Sequence, residues 1–270
     1  MTEIPSHIHL SGVTTFLLDL LPRAGHIVRR YFHSENLSKK KKGELDFVTE
    51  ADLAVDAFIK KELEKFSSDI PILSEETAPE DFSSCAEKEL LWVVDPRDGT
   101  SNFSRGSENF SISIALVSYG QPLAGAVFAP ISSRLFWARE DREGAFWNGR
   151  RIHVSKISSL EEAVVCSDWS HHLDTRHQTT EFFNKIFQSV RQIKILGSAA
   201  TDITLLARGA VDIYSHVYLS PWDVAAAALI AQKAGAYITD MEGKQWNVFT
   251  PGILMANPLL HKKMLSLLQT

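Results

Sequence analysis

The feature that most constrains this chain is an apolar strand running without a break into paired acids, Trp92-Val93-Val94-Asp95-Pro96-Arg97-Asp98-Gly99-Thr100-Ser101-Asn102-Phe103. Branched and aromatic residues of this kind belong inside a sheet, so Asp95 and Asp98 arrive together at the end of a buried element. Pro96 has a fixed φ and no backbone donor; it stiffens the turn and aims both carboxylates at one point. Two carboxylates held close repel each other unless a cation lies between them. Magnesium takes oxygen ligands of this type and keeps several waters and substrate phosphate beside them. The Gly99-Thr100 step then opens a helical turn whose N–H groups suit an anion. Taken alone, the segment also reads as a tight turn with capping aspartates.

Around this strand the pattern alternates. A helical period runs from Leu10 to Phe32 through Leu17, Leu20, Leu21 and Val28, with Pro22 and Gly25 as potential kinks. A polar loop reaches about Leu45, and the four lysines Lys39, Lys40, Lys41 and Lys42 read as part of that solvated loop. Thr49 opens a second helix with Asp52 at its third position and Val55, Phe58, Ile59 and Leu63 inward. Strands are predicted over 70–73, 90–94, 111–117, 124–129 and 134–138, with a hairpin turn at Asn148-Gly149. Beyond about Ser155 come strands over 163–167, 192–196 and 211–214, and helices over 180–190, 199–208 and 223–234. A hairpin around Glu242-Gly243 and a closing helix from Pro258 follow. Strands alternating with helices predict sheet layers covered by helices.

With 270 residues, 44% of them apolar, and a net charge of −5, the chain has the balance of a folded globular protein. The mild acidity disfavours nucleic acid as the main partner, because backbone binding needs a basic face. The longest uninterrupted apolar run, Val224 to Ala231, is too short for a membrane span. The first ten residues lack a basic region followed by an apolar one, which predicts a cytoplasmic address. Cys85 and Cys166, far apart, read as idle thiols. Asp168-Trp169-Ser170-His171-His172-Leu173-Asp174-Thr175-Arg176-His177 invites a zinc hypothesis, but its spacing puts adjacent imidazoles on different faces, and a polar substrate-side or subunit-contact loop is preferred.

Further acids close other elements: Asp46 and Asp52, Glu75 and Glu76 after Ile72-Leu73-Ser74, and Asp223 after Pro221-Trp222. The successive segments Asp46-Phe47-Val48-Thr49-Glu50-Ala51-Asp52, Leu73-Ser74-Glu75-Glu76, Trp92 to Phe103, Gly197-Ser198-Ala199-Ala200 and Trp222-Asp223-Val224-Ala225-Ala226 resemble, in order and spacing, the signatures of the inositol monophosphatase family. The resemblance extends from about Lys41 to the final helix, and Gly144-Ala145-Phe146-Trp147-Asn148-Gly149 resembles the family's mid-chain hairpin.

The resemblance implies an α+β protein, a layered αβαβα sandwich forming one phosphatase unit over 1–270 with an α+β half (1–155) and an α/β half (156–270). It implies a magnesium-dependent, lithium-sensitive phosphomonoesterase, with two or three Mg2+ per site, often a homodimer. Carried over position by position, Glu75, Asp95 and the Arg97 backbone carbonyl hold one ion, and Asp95, Asp98 and Asp223 a second. Thr100, oriented by Asp52, positions the attacking water, Glu75 accepts its proton, and the Gly99 and Thr100 amides cradle phosphate. Gly197, Ala199, His216 and Asp223 complete the substrate side. His216 stands where inositol-specific members carry an acid, and an imidazole lacks a carboxylate's paired acceptance.

The expected substrate is a small phosphomonoester resembling an inositol monophosphate. Fructose 1,6-bisphosphate, 3'-phosphoadenosine 5'-phosphate and histidinol phosphate are the alternatives. Arg97 and Arg105 are the residues that would favour an extra anionic group. A reading of another class is a non-catalytic regulatory or RNA-associated scaffold acting through the lysine run; the retained set of acids argues against it.

Overall fold

A computed structural model describes residues 8–32, 39–41, 47–169 and 173–269. Helix α1 (Leu10–Phe32) buries Leu10, Val13, Leu17, Leu20, Leu21 and Val28 along one stripe, and Pro22 lies inside it without ending it. The lysine run departs from the expected loop: β1 (Lys39–Lys41) pairs antiparallel with β2 (Phe47–Thr49), Lys39 opposite Thr49. Backbone pairing does not require apolar side chains, and lysine is a natural resident of an edge strand. Lys42 and Asp46 fall outside the described residues. Helix α2 (Glu50–Phe66) follows, with Asp52 in its first turn and Val55, Ile59 and Leu63 buried.

Next come β3 (Ile72–Ser74), β4 (Leu91–Asp98), α3 (Thr100–Ser104), β5 (Ser111–Ser118), β6 (Gln121–Ala129), β7 (Arg134–Arg139), β8 (Ala145–Trp147) and β9 (Arg150–Ile152). The strands form one seven-stranded sheet in chain order, antiparallel except for the parallel pair β3 and β4. Asn148 and Gly149, both at positive φ, make the predicted two-residue turn between β8 and β9.

The rest of the chain builds a second sheet from β10 (Val164–Ser167), β11 (Gln192–Ile195), β12 (Ile213–His216), β13 (Tyr237–Thr239) and β14 (Ile253–Ala256). Between and after these strands lie α4 (Leu173–Ile186), α5 (Ala199–Ala207), α6 (Pro221–Lys233) and α7 (Pro258–Leu268). The strand order is β11-β10-β12-β14-β13; β10 pairs in parallel with β11 and β12, while β14 runs antiparallel to both neighbours. Two expectations change here. Helix α4 begins at Leu173, earlier than predicted, because its first half is polar and its apolar stripe starts only near Phe182 and Ile186. His177 therefore lies on an exposed helix beside Glu181, while His171 and His172 fall outside the described residues. Glu242-Gly243 forms a tight turn closed by Asp240, but the strand that pairs antiparallel with β13 is β14, which starts only at Ile253, so the connection is a long loop and not a tight hairpin.

Packing sorts these elements into five layers. Helices α1 and α2 cover one face of the seven-stranded sheet through Trp92, Val94, Ile114, Leu116 and Phe128. Helices α5 and α6 cover its other face through Leu91, Val93, Ala115 and Phe136, and they also meet Tyr214, Ile253 and Met255 of the second sheet. Helices α4 and α7 close the far side with Phe182, Ile186, Leu260 and Met264. The architecture is the expected αβαβα stack. A helix held between two sheets must be apolar all round, and α6 buries every residue from Val224 to Ala231. It lies so close to β6 that a Cβ on Gly125 would come within 2.8 Å of the Ala226 Cα.

Candidate active site

Strand β4 is buried along its whole length and ends on Asp95 and Asp98. Its pairing with β5 slips between those residues, from Asp95 opposite Ser113 to Asp98 opposite Ser111, which turns both acids toward the same end of the sheet. Helix α6 begins there with Ser220, Pro221 and Asp223; the Asp223 carboxylate accepts the Ser220 N–H at 2.7 Å. One carboxylate oxygen each from Asp95, Asp98 and Asp223 lies within 4.8 Å of the others. Glu75 stands outside that trio, at the start of a single 3-10 turn after β3. It is nevertheless first among the charges raising Asp95.

The electrostatics are those of an acid cluster waiting for positive charge. Burial, then Glu75, Asp98 and Asp223, push Asp95 well above the ordinary carboxylate range. Its Oδ1 accepts the Arg97 N–H, whereas its buried Oδ2 has no hydrogen-bond partner among the described residues. A buried oxygen without a donor is costly unless a cation satisfies it, so the donor set fits a hard divalent ion. Burial also raises Asp98, to about 6, against the hydrogen bonds that favour its ionised form. Those bonds come from the Ser198 hydroxyl and from the Ala199 and Ala200 amides at 3.1 and 3.0 Å. The Ala199 N–H, expected on the substrate side, thus donates to Asp98.

Gly99 takes φ +92°, which a side chain would resist, and a Cβ there would meet the Asn109 carbonyl at 3.0 Å. This conformation lets Thr100 start α3 directly after the acids. The Thr100 hydroxyl donates to the Arg97 carbonyl at 3.3 Å. Asp52 is buried and faces the Arg97 guanidinium. Arg97 does not point into the mouth: its side chain is buried and its guanidinium stacks 3.8 Å from the Phe103 ring centroid. Arg105, at the end of α3, is exposed. His216 is buried at the end of β12, its Nδ1 accepting the Tyr218 N–H at 3.1 Å. Gly197, at φ +80°, precedes α5 and packs against Asn102. Trp222 packs edge-on to Phe82.

Several residues that organise the site escaped the sequence reading. Asn102 lies inside the signature segment, and its Nδ2 sits 2.7 Å from the Asn109 and Leu196 carbonyls and 3.0 Å from that of Gly197. It ties α3 to the loop that leads into α5. Asp202, buried one turn into α5, is raised well above the carboxylate range by burial and by Asp98 and Asp168; Asn109 donates to it at 3.4 Å. An acid within an otherwise apolar helix was the available signal for Asp202.

A stack of this kind, with carboxylates gathered where one sheet meets the start of the central helix, defines a phosphatase of the layered, metal-dependent class. The chain belongs to the inositol monophosphatase family, whose model matches residues 9–270. It is 37% identical over 246 residues to a protein named fructose-1,6-bisphosphatase/inositol-1-monophosphatase of Thermotoga maritima, covering 91% of each chain. It is 33% identical over 237 residues to one named Nus factor SuhB of Vibrio cholerae, covering 86% of each. The solved structure of the extragenic suppressor protein suhB of Bartonella henselae superposes with a TM-score of 0.87 at 31% identity, covering 96% of this chain and 99% of that one.

The raised acids set a pH dependence. A group that binds its proton more tightly folded than unfolded stabilises the fold as pH falls through its folded pKa. In EDTA the melting temperature is therefore expected to rise as pH is lowered from about 7.5 through 6, the region in which Asp98 takes up its proton. With magnesium present, protons compete with the ion and the metal-induced rise shrinks over the same interval. Scanning fluorimetry checks both arms; an EDTA profile that falls toward about pH 5.5 would contradict the charge repulsion assigned to the cluster.

Proposed function

We propose that this phosphatase hydrolyses a small phosphomonoester, of the inositol monophosphate kind, in a magnesium-dependent reaction. The observation that carries this reading is the convergence of Asp95, Asp98 and Asp223, from two separate elements, onto one point. Glu75, Asp95, Asp98, Asp223 and the Arg97 carbonyl are the groups that would hold the metal. Bound divalent ions neutralise the phosphate dianion and supply a water of lowered pKa. The chain's own groups provide position. Gly99 and Thr100 present backbone amides to the phosphate at the start of α3. Thr100 offers its hydroxyl to the water, and Glu75 stands beside the cluster to take its proton. No side-chain nucleophile is required, so attack is by water in line with the leaving oxygen. His216 and Gly197 face the leaving group in this reading, and one hydrogen bond from an imidazole suits a polyol less selectively than a carboxylate. The lithium sensitivity and homodimer expected from the sequence belong to the same reading.

Phosphate release from myo-inositol 1-phosphate, fructose 1,6-bisphosphate, 3'-phosphoadenosine 5'-phosphate and histidinol phosphate, with magnesium or EDTA and beside Asp98→Asn, tests it. The expected result is magnesium-dependent release that the substitution abolishes, with the inositol ester among the better substrates. The relative named for both fructose-1,6-bisphosphatase and inositol-1-monophosphatase makes the bisphosphate the strongest competitor. Silence on every substrate by a protein that binds magnesium would favour the non-catalytic role suggested by the relative named as a Nus factor.

A further inference from the structure

Glu75 opens a 3-10 turn of only three residues, Glu75–Thr77, and turns of this kind have poor internal hydrogen bonds. Ser74 stands at the N-cap with extended backbone, where a serine hydroxyl ordinarily accepts an N–H of the turn, yet it makes no such bond. Its hydroxyl donates instead to Asp56 Oδ1, on α2. Both partners are buried, Ser74 at 1% exposure and Asp56 at 4%. One turn further along α2, Lys60 Nζ lies 3.5 Å from Asp56 Oδ2 and donates to the Thr77 hydroxyl at 2.8 Å. The residue before the turn and the residue that ends it are therefore both tied to α2.

Asp52, Asp56 and Lys60 follow one another at four-residue intervals, so they share one face of α2. That face meets Arg97, Ser74 and Thr77 in turn. In the register of β3 with β4, Ser74 lies opposite Val94, the residue directly before Asp95. The backbone thus brings Glu75 to the side of Asp95, and Asp56 grips the last residue before the chain leaves the strand. Stability alone is a weak reason for such a grip. A carboxylate withdrawn from water loses hydration that one hydroxyl and one lysine at 3.5 Å replace poorly.

We propose that Asp56 is a positioning residue of the phosphatase reaction: from α2 it holds the Ser74 hydroxyl, and through Ser74 it sets where the 3-10 turn presents the Glu75 carboxylate to the acids of β4. Lys60 steadies Asp56 and the far end of the same turn; being partly exposed, it contributes less. The inference rests on the proposed function, in which Glu75 holds metal and takes a proton.

Steady-state phosphate release by the full chain, over a magnesium titration and with whichever ester of the panel above is turned over fastest, tests this. Asp56→Ala is expected to lower kcat by about 10–100-fold and to raise the magnesium concentration for half-activity by a similar factor, the scale on which groups behind a metal ligand act. KM for the ester should change by less than about threefold. Ser74→Ala removes a single hydroxyl and should reproduce that loss even where Asp56→Ala folds poorly. The double variant should be no worse than the worse single, because both break one contact. Asp56→Asn keeps an acceptor for the hydroxyl and should recover most of kcat. A merely structural contact predicts variants that melt lower yet keep the wild-type kcat and magnesium requirement, and that result would overturn the proposal. Single losses that multiply in the double variant, or an Asp56→Asn protein as poor as Asp56→Ala, would overturn it too. Glu75→Gln serves as the reference and should lose more than any of these. Were it as active as wild type, the role given to Glu75 would fail and the positioning role with it, whereas an impaired Glu75→Gln beside unimpaired Ser74→Ala and Asp56→Ala would refute the role of Asp56 alone.

Discussion

Asp95→Asn is expected to melt higher than wild type in EDTA while losing phosphate release by about 10³-fold, the scale on which one preorganised electrostatic group acts. The two effects have one cause. Folding forces Asp95 into a dry position beside Glu75, Asp98 and Asp223, each of which raises the cost of its charge. Asparagine has nearly the same shape, and its Oδ1 can still accept the Arg97 N–H, so the contact at 2.8 Å survives. What disappears is the repulsion, worth about 2–4 °C per kcal/mol relieved in a chain of this size. The same change withdraws an oxygen from any cation, so the melting rise on adding magnesium should vanish with activity. Differential scanning calorimetry with EDTA and with magnesium, beside a phosphate-release assay, reads all three quantities. Activity within tenfold of wild type would remove Asp95 from the working site.

Asn102→Asp carries the second large effect, on stability. The amide of Asn102 shares its two hydrogens among the carbonyls of Asn109, Leu196 and Gly197. A carboxylate in its place would face three acceptors without a donor. These groups are half-buried, and the Leu196 carbonyl still accepts the Asn109 side-chain amide at 2.9 Å, so the lost bonds cost toward the low end of about 1–3 kcal/mol, and the added negative charge among the carbonyls costs more than the bonds alone. Asn102→Ala loses the bonds without adding repulsion, so it should fall between wild type and Asn102→Asp in urea unfolding. Equal midpoints for the two variants would mean that the carbonyls do not govern this joint. Both variants should also lose activity, because Leu196 and Gly197 lead into Ser198 and Ala199, which hold Asp98.

Much of this was legible in the sequence wherever a local pattern and the final environment agree. The apolar run before Asp95, the helical stripe of α1 and the Asn148-Gly149 turn each specify their element within a few residues of chain. The acids at element ends were readable for the same reason: an ionisable group at the end of a buried strand has few bland uses. What stayed hidden depends on partners distant in the chain. Nothing near Arg97 announces that its guanidinium meets Asp52, 45 positions earlier, and its placement in a signature segment suggested an outward role. The strand at Ile253–Ala256 lies in a stretch without a strand pattern, so the hairpin read around Glu242-Gly243 shows its turn in the sequence but not its second strand. Helix α4 was begun late because its first half makes no apolar stripe. The lysine strand β1 exists by backbone pairing, which leaves little trace in side-chain chemistry.

The alanine-rich helix α6 carries Asp223 at its start and spends its length wedged between two sheets. Asp95 and Asp98 come from the first of those sheets, yet the helix reaches its berth only where the second closes over it. No fragment ending before Asp223 holds the full trio, and no loosened form that frees α6 can keep it. With the trio as the catalytic centre proposed above, activity becomes an all-or-nothing report on the finished fold: during synthesis it is expected late and at once, and during denaturation it should vanish with the inner helix rather than fade with the edges.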